Sequence, residues 1–303
     1  MKTVLISGGE DAVPAPYLQE IRDAGIELEC KACTTEDEVV EFSRDADLIW
    51  MFGPNRGLTP GALERLPKCK GIFRSGSGLD ALPVEAAQKR GIRVYNTPES
   101  IAESVAEHAV ALLFALVRQI PYYDASVKAG KWGAATHIRW HISGRTLGLV
   151  GYGRIARAVE QMVKGFRMEV IHFDPMAPDS IPLDELLARS DYVSLHCPLT
   201  PETRGLFNAD KFKLMKQNAL LVNTSRGAVI NEKDLLEALE SGHLGGAALD
   251  VLTDEPPAAD NPLLRCDKVI LSPHLAAFSA DFSKNFWSCS AKKVIAVRDE
   301  LKL

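Results

Sequence analysis

The segment that most constrains the fold runs from Leu147 to Asp174 and reads LGLVGYGRIARAVEQMVKGFRMEVIHFD. It opens with a short apolar run, which is typical of a buried parallel strand. Gly151, Gly153 and Ala156 then form G-x-G-x-x-A, and apolar side chains at helical spacing follow them. A strand, a glycine turn and a helix in this order predict a βαβ unit that binds the pyrophosphate of a dinucleotide at the helix N-terminus.

An acidic residue ends the second strand of this unit. Asp174 follows the predicted strand Val170–Phe173. A carboxylate at this place accepts hydrogen bonds from both hydroxyls of an adenosine ribose and repels a 2′-phosphate. No Arg or Lys stands within residues 175–180 to offset that repulsion. The sequence therefore predicts NAD rather than NADP as the cofactor.

Composition excludes several classes of partner. A formal net charge of −5 argues against nucleic acid or an anionic membrane as the main partner. The N-terminal residues lack the basic-then-apolar layout of a signal peptide, and the six cysteines are scattered, so we expect a cytoplasmic protein. Cys30 and Cys33 form a C-x-x-C without a second pair, and the two histidines of Lys131–His141 lack Cys or carboxylate partners. We expect no metal site and interpret Lys131–His141 as a loop that reaches across a neighbouring surface.

Predicted strands and helices alternate along the chain, which has the length of two domains. Five strands fall in the first hundred residues, and six more fall between residues 147 and 271, the count of a complete dinucleotide-binding domain. The last segment, 280–303, is predicted to be helical and to return to the first domain. We therefore expect an α/β fold of two doubly wound parallel-sheet domains, with a Rossmann NAD-binding domain at 99–279 inserted into a flavodoxin-like domain.

A long helix is predicted over Ser100–Arg118. Ser100 and Glu103 resemble a capping box, and Pro121 is predicted to end the helical pattern. The helix is apolar nearly all round, so we expect it to be buried on more than one side, between domains or against a second subunit. For His108 on this helix, a structural role is favoured over a catalytic one.

Three chargeable residues follow successive predicted strands of the second sheet: Arg226, Glu255 and His274. Ligands of open parallel sheets bind beyond the C-terminal strand ends, so we expect these side chains around one crevice. A histidine transfers protons near neutral pH, a nearby glutamate favours its imidazolium form, and an arginine binds a carboxylate. Each residue alone is commonly a salt-bridge partner or a loop residue. Together they suit the reduction of a 2-oxo acid by a nicotinamide, in which carbon receives hydride and oxygen a proton.

A turn of small residues follows the fourth strand of the first domain. Its backbone N–H groups could converge on an anion, although a flexible turn without a ligand is an equal alternative. The candidate substrate-binding residues of this turn are Arg74, Ser75, Gly76, Ser77 and Gly78.

Over nearly its whole length the sequence resembles the NAD-dependent D-2-hydroxyacid dehydrogenases, the family of phosphoglycerate dehydrogenase and glyoxylate/hydroxypyruvate reductase. The motifs that carry the resemblance are RSGSGLD at 74–80, SVAEHAVALL at 104–113, LGLVGYGRIAR at 147–157, HCPLTPETRGLF at 196–207, NTSRGAVI at 223–230, DEPP at 254–257 and SPHLAA at 272–277. The resemblance implies that Arg226, Glu255 and His274 are the catalytic set, with His274 as the acid/base.

The resemblance also implies a substrate domain of residues 1–98 plus 280–303, and a homodimer built on the long helix. It implies that Cys197 and Pro198 flank the adenine and that Asp250 holds the nicotinamide carboxamide. The cofactor-binding residues implied are Gly151, Gly153, Arg154, Ile155, Asp174, His196, Cys197, Pro198, Thr203, Thr224, Ser225, Arg226, Asp250 and His274.

The substrate stays open at this point. Arg74 and Arg56 could meet the phosphate of 3-phosphoglycerate, whereas glyoxylate or hydroxypyruvate needs neither, and Trp140 or His137 of a partner subunit could close the pocket. Two other functions remain alternatives: a non-catalytic NAD(H)-sensing protein of corepressor type, and NAD-dependent oxidation of an inorganic or one-carbon anion. The Arg–Glu–His set favours the dehydrogenase over the sensor, because a sensor needs no proton donor.

Overall fold

The computed structural model describes residues 1–53, 55–132 and 141–302. Residues His137 and Trp140 of the expected loop lie outside this part of the chain. The chain divides into two compact units: unit 1 comprises Met1–Ile101 and Ser279–Leu303, and unit 2 comprises Ala102–Phe278. Unit 2 is therefore an insertion in the chain of unit 1, and each unit is built on its own parallel sheet. The α/β fold of two doubly wound domains is confirmed.

The strands, in chain order, are β1 (Lys2–Leu5), β2 (Glu27–Cys30), β3 (Leu48–Met51), β4 (Gly71–Arg74), β5 (Arg93–Asn96), β6 (Thr146–Val150), β7 (Glu169–Phe173), β8 (Tyr192–Leu195), β9 (Leu220–Asn223), β10 (Gly246–Leu249) and β11 (Val269–Leu271). The helices are α1 (Ala15–Asp23), α2 (Glu36–Ser43), α3 (Pro60–Glu64), α4 (Val84–Lys89), α5 (Ala102–Arg118), α6 (Ile120–Lys128), α7 (Arg154–Val163), α8 (Leu183–Arg189), α9 (Ala209–Leu214), α10 (Glu232–Glu240) and α11 (Phe282–Leu301). Among them, none has the length and apolarity needed to cross a membrane.

The sheet of unit 1 has the order β2-β1-β3-β4-β5, which is the flavodoxin-like order. The three inner strands, β1, β3 and β4, are mostly buried, since helices cover both faces of the sheet. One face packs against α2, α3 and α4, and the other against α1 and α11. The C-terminal helix α11 thus completes the core of the unit that contains the N-terminus, through Ala291, Val294 and Val297.

The sheet of unit 2 has six parallel strands in the order β7-β6-β8-β9-β10-β11. Numbered within the unit, this order is 2-1-3-4-5-6, whereas the usual dinucleotide-binding order is 3-2-1-4-5-6. The connection between β7 and α8 holds only residues 174–182, and Ile181 pairs its N–H with the carbonyl of His172 at 3.1 Å. The chain therefore returns without adding a strand outside β7. The strand order reverses between β6 and β8, where the glycine turn lies.

The long helix begins later than predicted. The hydroxyl of Ser100 donates to the carbonyl of Thr97 at 2.6 Å in a preceding 3-10 turn, and α5 starts at Ala102. Pro121 does not end the helical region, because Gln119 adopts a left-handed conformation and a new helix, α6, begins with Pro121 in its first turn. Within unit 2, α5 packs against α7, β9 and β10, whereas Ala111 is exposed and Phe114 is half-buried.

Candidate active site

The glycine turn after β6 lies at the point where the strand order of unit 2 reverses. Gly151 has φ of +85°, and a Cβ there would lie 2.6 Å from the backbone nitrogen of Cys197 at the end of β8. Only glycine therefore fits at this position. A Cβ at Gly153 would meet nothing within 4 Å, so open space lies before the start of α7. The first N–H groups of α7, those of Arg154 and Ile155, have no acceptor one turn earlier within the helix and suit an anion there.

Asp174 fixes the glycine turn to the end of β7. Its Oδ2 accepts from the N–H of Tyr152 at 2.7 Å, and its Oδ1 accepts from the N–H of Met176 at 2.8 Å. Each carboxylate oxygen has a second lone pair. The carboxylate is therefore held in a fixed place and can still accept from a pair of ribose hydroxyls.

The glycine turn is supported by an aromatic stack, which the sequence pattern did not predict. The ring of Tyr152 lies parallel to the ring of His172, with centroids 3.6 Å apart, and the guanidinium of Arg157 lies 5.1 Å from the Tyr152 centroid. The Tyr152 hydroxyl donates to Glu160, which raises the pKa of Tyr152. The residue between the two glycines of the motif therefore serves to brace the turn.

The loop after β8 presents uncharged groups. Burial lowers the pKa of His196 to about 4, so its ring is neutral near pH 7, and its Nε2 lies 2.9 Å from the hydroxyl of Ser194. Burial raises the pKa of the Cys197 thiol to about 11. Thr203 donates to the carbonyl of Pro198 at 2.6 Å and shapes the segment that follows. An uncharged aromatic base such as adenine suits surroundings without charge.

A buried asparagine shapes the loop that carries Arg226. The Oδ1 of Asn223 accepts from the N–H and the hydroxyl of Ser225, at 2.9 and 2.7 Å, and its Nδ2 donates to the Arg226 carbonyl at 3.0 Å. The Arg226 guanidinium donates to the Ser225 carbonyl at 2.7 Å. A Cβ at Gly227 would lie 1.9 Å from the carbonyl carbon of Leu252. The Arg226 loop is therefore pressed against the loop after β10.

The loop after β10 carries Glu255, which is in direct contact with His274. One carboxylate oxygen, Oε1, accepts from the N–H of Leu252 at 3.1 Å, and the other, Oε2, lies 2.6 Å from Nδ1 of His274. A carboxylate can only accept, so Nδ1 carries a proton and Nε2 is the atom that exchanges protons with a ligand. The side chain of His274 is 51% exposed and that of Glu255 is 37% exposed. The structure thus forms a reachable His–Glu pair.

His274 has an unusual backbone conformation, which Asp250 stabilises. Its φ is +52°, in the left-handed region, and its N–H donates to the Asp250 carbonyl at 2.7 Å. The Asp250 carboxylate is 1% exposed and accepts from the N–H groups of Leu275 and Ala276, both at 3.0 Å, and from the Ser272 hydroxyl at 2.5 Å. Oδ2 accepts only one of these bonds, which leaves it a lone pair. The predicted contact of Asp250 with a carboxamide stays a prediction.

Thr224 provides a test of whether this edge of the sheet fits a dinucleotide. Its hydroxyl is buried and has no hydrogen-bond partner among the described residues. A buried polar group without a partner is costly, so a bound ligand is expected to satisfy it. Together with the open space at Gly153 and the fixed carboxylate of Asp174, the donor set fits a dinucleotide.

In unit 1, some backbone N–H groups of the predicted anion-binding turn already donate to acceptors within the protein. The N–H groups of Ser75 and Gly76 donate to the Met51 carbonyl and to the Thr97 hydroxyl, both at 2.9 Å. Two of the five predicted residues thus have their N–H groups occupied. Within the described residues, the N–H groups of Ser77 and Gly78 have no acceptor and are the candidates for binding an anion.

The side chains around this turn are also paired. The Ser75 hydroxyl accepts from the indole of Trp50 at 2.8 Å and lies 2.7 Å from the Ser290 hydroxyl of α11. The guanidinium of Arg74 donates to the Gly78 carbonyl. Sequence reasoning missed Trp50 and Ser290, since neither lies in a motif, and only the tertiary packing of α11 brings them to the turn.

Comparisons with known proteins agree with this geometry. Residues 110–276 match the family described as D-isomer specific 2-hydroxyacid dehydrogenase, NAD binding domain. The chain is 38% identical over 303 residues to a D-3-phosphoglycerate dehydrogenase of Methanocaldococcus jannaschii, covering 96% of this chain and 56% of that protein. It is 40% identical over 248 residues to a glyoxylate reductase of Korarchaeum cryptofilum, covering 78% of this chain and 75% of that protein.

A solved structure of similar shape is a D-lactate dehydrogenase of Aquifex aeolicus complexed with NAD and lactic acid. Its TM-score is 0.85 at 29% sequence identity, covering 99% of this chain and 96% of that chain. The fold and the site define an α/β protein with a dinucleotide-binding domain. The chain belongs to the D-isomer specific 2-hydroxyacid dehydrogenase family. It spans about half the length of the curated D-3-phosphoglycerate dehydrogenases that it matches.

Proposed function

We propose that the protein is an NAD-dependent dehydrogenase that interconverts a small 2-oxo acid and the corresponding D-2-hydroxy acid. The observation that carries this proposal is the contact of 2.6 Å between Nδ1 of His274 and Oε2 of Glu255, at the C-terminal edge of a dinucleotide-binding sheet. A proton donor of this kind is what carbonyl reduction needs besides hydride. The family and the names of the relatives support the same chemistry.

The histidine acts as acid and base in this reaction. Bound NADH supplies the hydride that the carbonyl carbon receives. His274 holds a proton at Nε2, delivers it to the carbonyl oxygen, and recovers it in the reverse direction. Glu255 accepts from Nδ1 and so fixes the orientation of the ring, which leaves Nε2 as the atom that exchanges the proton with the substrate.

The Arg226 side chain binds the substrate carboxylate in this proposal. The planar guanidinium of Arg226 suits a carboxylate and polarises the neighbouring carbonyl oxygen. In unit 1, the substrate domain of this proposal, the N–H groups of Ser77 and Gly78 can donate to an anion. Arg74 donates to the Gly78 carbonyl and so stabilises the turn, and a contact of Arg74 or Arg56 with a substrate phosphate stays a prediction. We also propose a cytoplasmic location, which the six free cysteines support.

An NADH-oxidation screen tests the activity directly. The wild-type chain is assayed with glyoxylate, hydroxypyruvate, phosphohydroxypyruvate, pyruvate and bulkier 2-oxo acids. We expect turnover with at least one of them, and we expect His274→Gln to lower kcat by about 10²- to 10⁴-fold, the usual contribution of general acid catalysis. The matched control is His243→Gln. His243 lies between α10 and β10, before the N-terminal end of β10, where its ring contacts the Phe212 carbonyl.

The screen separates the rival functions. A protein that binds NADH but reduces no oxo acid supports the sensor. Reduction of NAD⁺ with an inorganic or one-carbon anion, assayed in the oxidation direction, together with no reduction of any oxo acid, supports the third function. Turnover of His274→Gln within threefold of wild type would remove His274 from the mechanism.

Cofactor preference depends on Asp174 in this proposal. We expect Asp174→Ala to reduce the ratio of kcat/KM with NADH to that with NADPH by about tenfold, which corresponds to about 1.4 kcal/mol, because the charge that repels a 2′-phosphate is lost. Asp179→Ala is the control, since it removes an exposed carboxylate from the same loop. An unchanged ratio in Asp174→Ala would assign cofactor preference to another group.

We further propose a homodimer in which α6 and the adjoining part of α5 form the interface. No residue of α6 is buried within this chain, and Ile120 and Trp132 are 56% and 87% exposed. Ile120, Tyr122 and Val127 of this one short helix are all exposed, and large apolar side chains exposed on a single chain mark an interaction surface. We expect wild type to sediment at about twice 33.1 kDa and Ile120→Glu to sediment as a monomer, whereas Leu264→Glu, at another exposed apolar site, stays dimeric. A monomeric wild-type chain would contradict the dimer.

A further inference from the structure

The turn that presents His274 is connected to the long helix α5 by a chain of hydrogen bonds. His108 of α5 places its Nε2 3.0 Å from the hydroxyl of Ser272 and 3.5 Å from Oδ1 of Asp250. The Ser272 hydroxyl lies 2.5 Å from the same Oδ1. The side chain of His108 is 23% exposed, so this contact is largely shielded from water.

The direction of each hydrogen bond in this chain follows from the buried carboxylate. A carboxylate has no proton to give, so the Ser272 hydroxyl donates its single proton to Asp250. That hydroxyl can then only accept from His108. The Nε2 of His108 therefore carries a proton and donates it to Ser272, which fixes the tautomer of His108 whenever its ring is neutral.

The helix provides a rigid anchor for this hydrogen bond. Ala106 and Ala109, on either side of His108 along the chain, are buried, and α5 packs against α7, β9 and β10 in the core of unit 2. A donor on such a helix holds Ser272 in one rotamer, because packed helices in cores do not shift freely. Ser272 in turn shares Asp250 with the N–H groups of Leu275 and Ala276, which follow His274 directly.

From this network we propose that His108 is a positioning residue for the acid/base group. It acts through Ser272 and Asp250 to keep the backbone of His274 at φ of +52°, where Nδ1 meets Glu255. This inference rests on the proposed function for its kinetic consequence, but its structural consequence, the protection of the 272–276 turn, is independent of any activity.

Two variants of His108, each made in the whole 303-residue chain, test the proposal. His108→Leu keeps an apolar stem and removes the donor, whereas His108→Gln retains an N–H donor at the end of a side chain of similar reach. We expect His108→Leu to lower kcat about tenfold, with the Kd for NADH unchanged within twofold, and to raise the solvent deuterium isotope effect on kcat because proton transfer becomes slower. We expect His108→Gln to have a kcat and an isotope effect close to those of wild type. The control is Glu107→Gln, which changes an exposed neighbour on α5.

Amide hydrogen exchange gives a second readout that needs no substrate. We expect exchange of the Leu275 and Ala276 N–H groups to be about tenfold faster in His108→Leu than in wild type, and near wild type in His108→Gln. Unchanged exchange in a folded His108→Leu overturns the proposal, whether or not the enzyme is active. A lower melting temperature with unchanged kcat and isotope effect also overturns it, since that result describes a purely structural histidine. If wild type reduces no oxo acid, the proposed function fails and the exchange result alone decides the role of His108.

Discussion

The buried carboxylate of Asp250 is the interaction on which the site depends. It is 1% exposed, and a charge removed from water to this degree is costly unless strong donors surround it. Here the donors to the Asp250 carboxylate are the Ser272 hydroxyl and the N–H groups of Leu275 and Ala276. These donors lie on both sides of His274, so satisfying the charge also fixes the turn. A left-handed histidine costs on the order of 1–3 kcal/mol and persists only where its surroundings determine it.

Parallel pairing places the other functional groups beside this turn. In the sheet of unit 2, Leu249 is in register with Asn223 on one side and with Leu271 on the other. The three loops that follow therefore start at one level of the sheet. Close backbone approach tightens them further, since Gly227 leaves no room for a side chain against Leu252. The site is built on loops, but β9 and β10 below two of them are fully buried, and a packed scaffold gives loop residues precise positions.

Much of this arrangement could be predicted from the sequence. The eleven strands found among the described residues were all identifiable, because parallel strands form short apolar runs separated by helical patterns. The Glu255–His274 contact could be inferred from the rule that chemistry lies beyond C-terminal strand ends. The order of the strands in unit 2 could not be predicted. The sequence indicates six strands, but it does not indicate that the chain after β7 returns to the other side of β6. Likewise, Gln119 gave no signal for the left-handed turn that starts α6.

Other features depend on contacts between distant residues. Ser290 reaches the Ser75 turn only because α11 returns to unit 1, and His108 reaches Ser272 across 164 residues of sequence. Neither contact has a local pattern. The N–H group of Ser75 was a candidate donor for substrate, but its position directly after β4 commits it to the Met51 carbonyl of the neighbouring strand. Residue type and position therefore identify candidates, whereas tertiary hydrogen bonding decides which atoms remain available to a ligand.

The central claim is that Asp250 holds His274 in place through its charge. The most direct measurement is a crystal structure of Asp250→Asn together with its turnover and NADH affinity. An asparagine presents an N–H₂ group to donors that need acceptors. We predict that His274 leaves the left-handed region, that Nδ1 moves out of hydrogen-bond distance of Glu255, and that kcat falls by about 10²-fold or more. An unchanged His274 backbone in a variant that retains wild-type turnover would contradict the account.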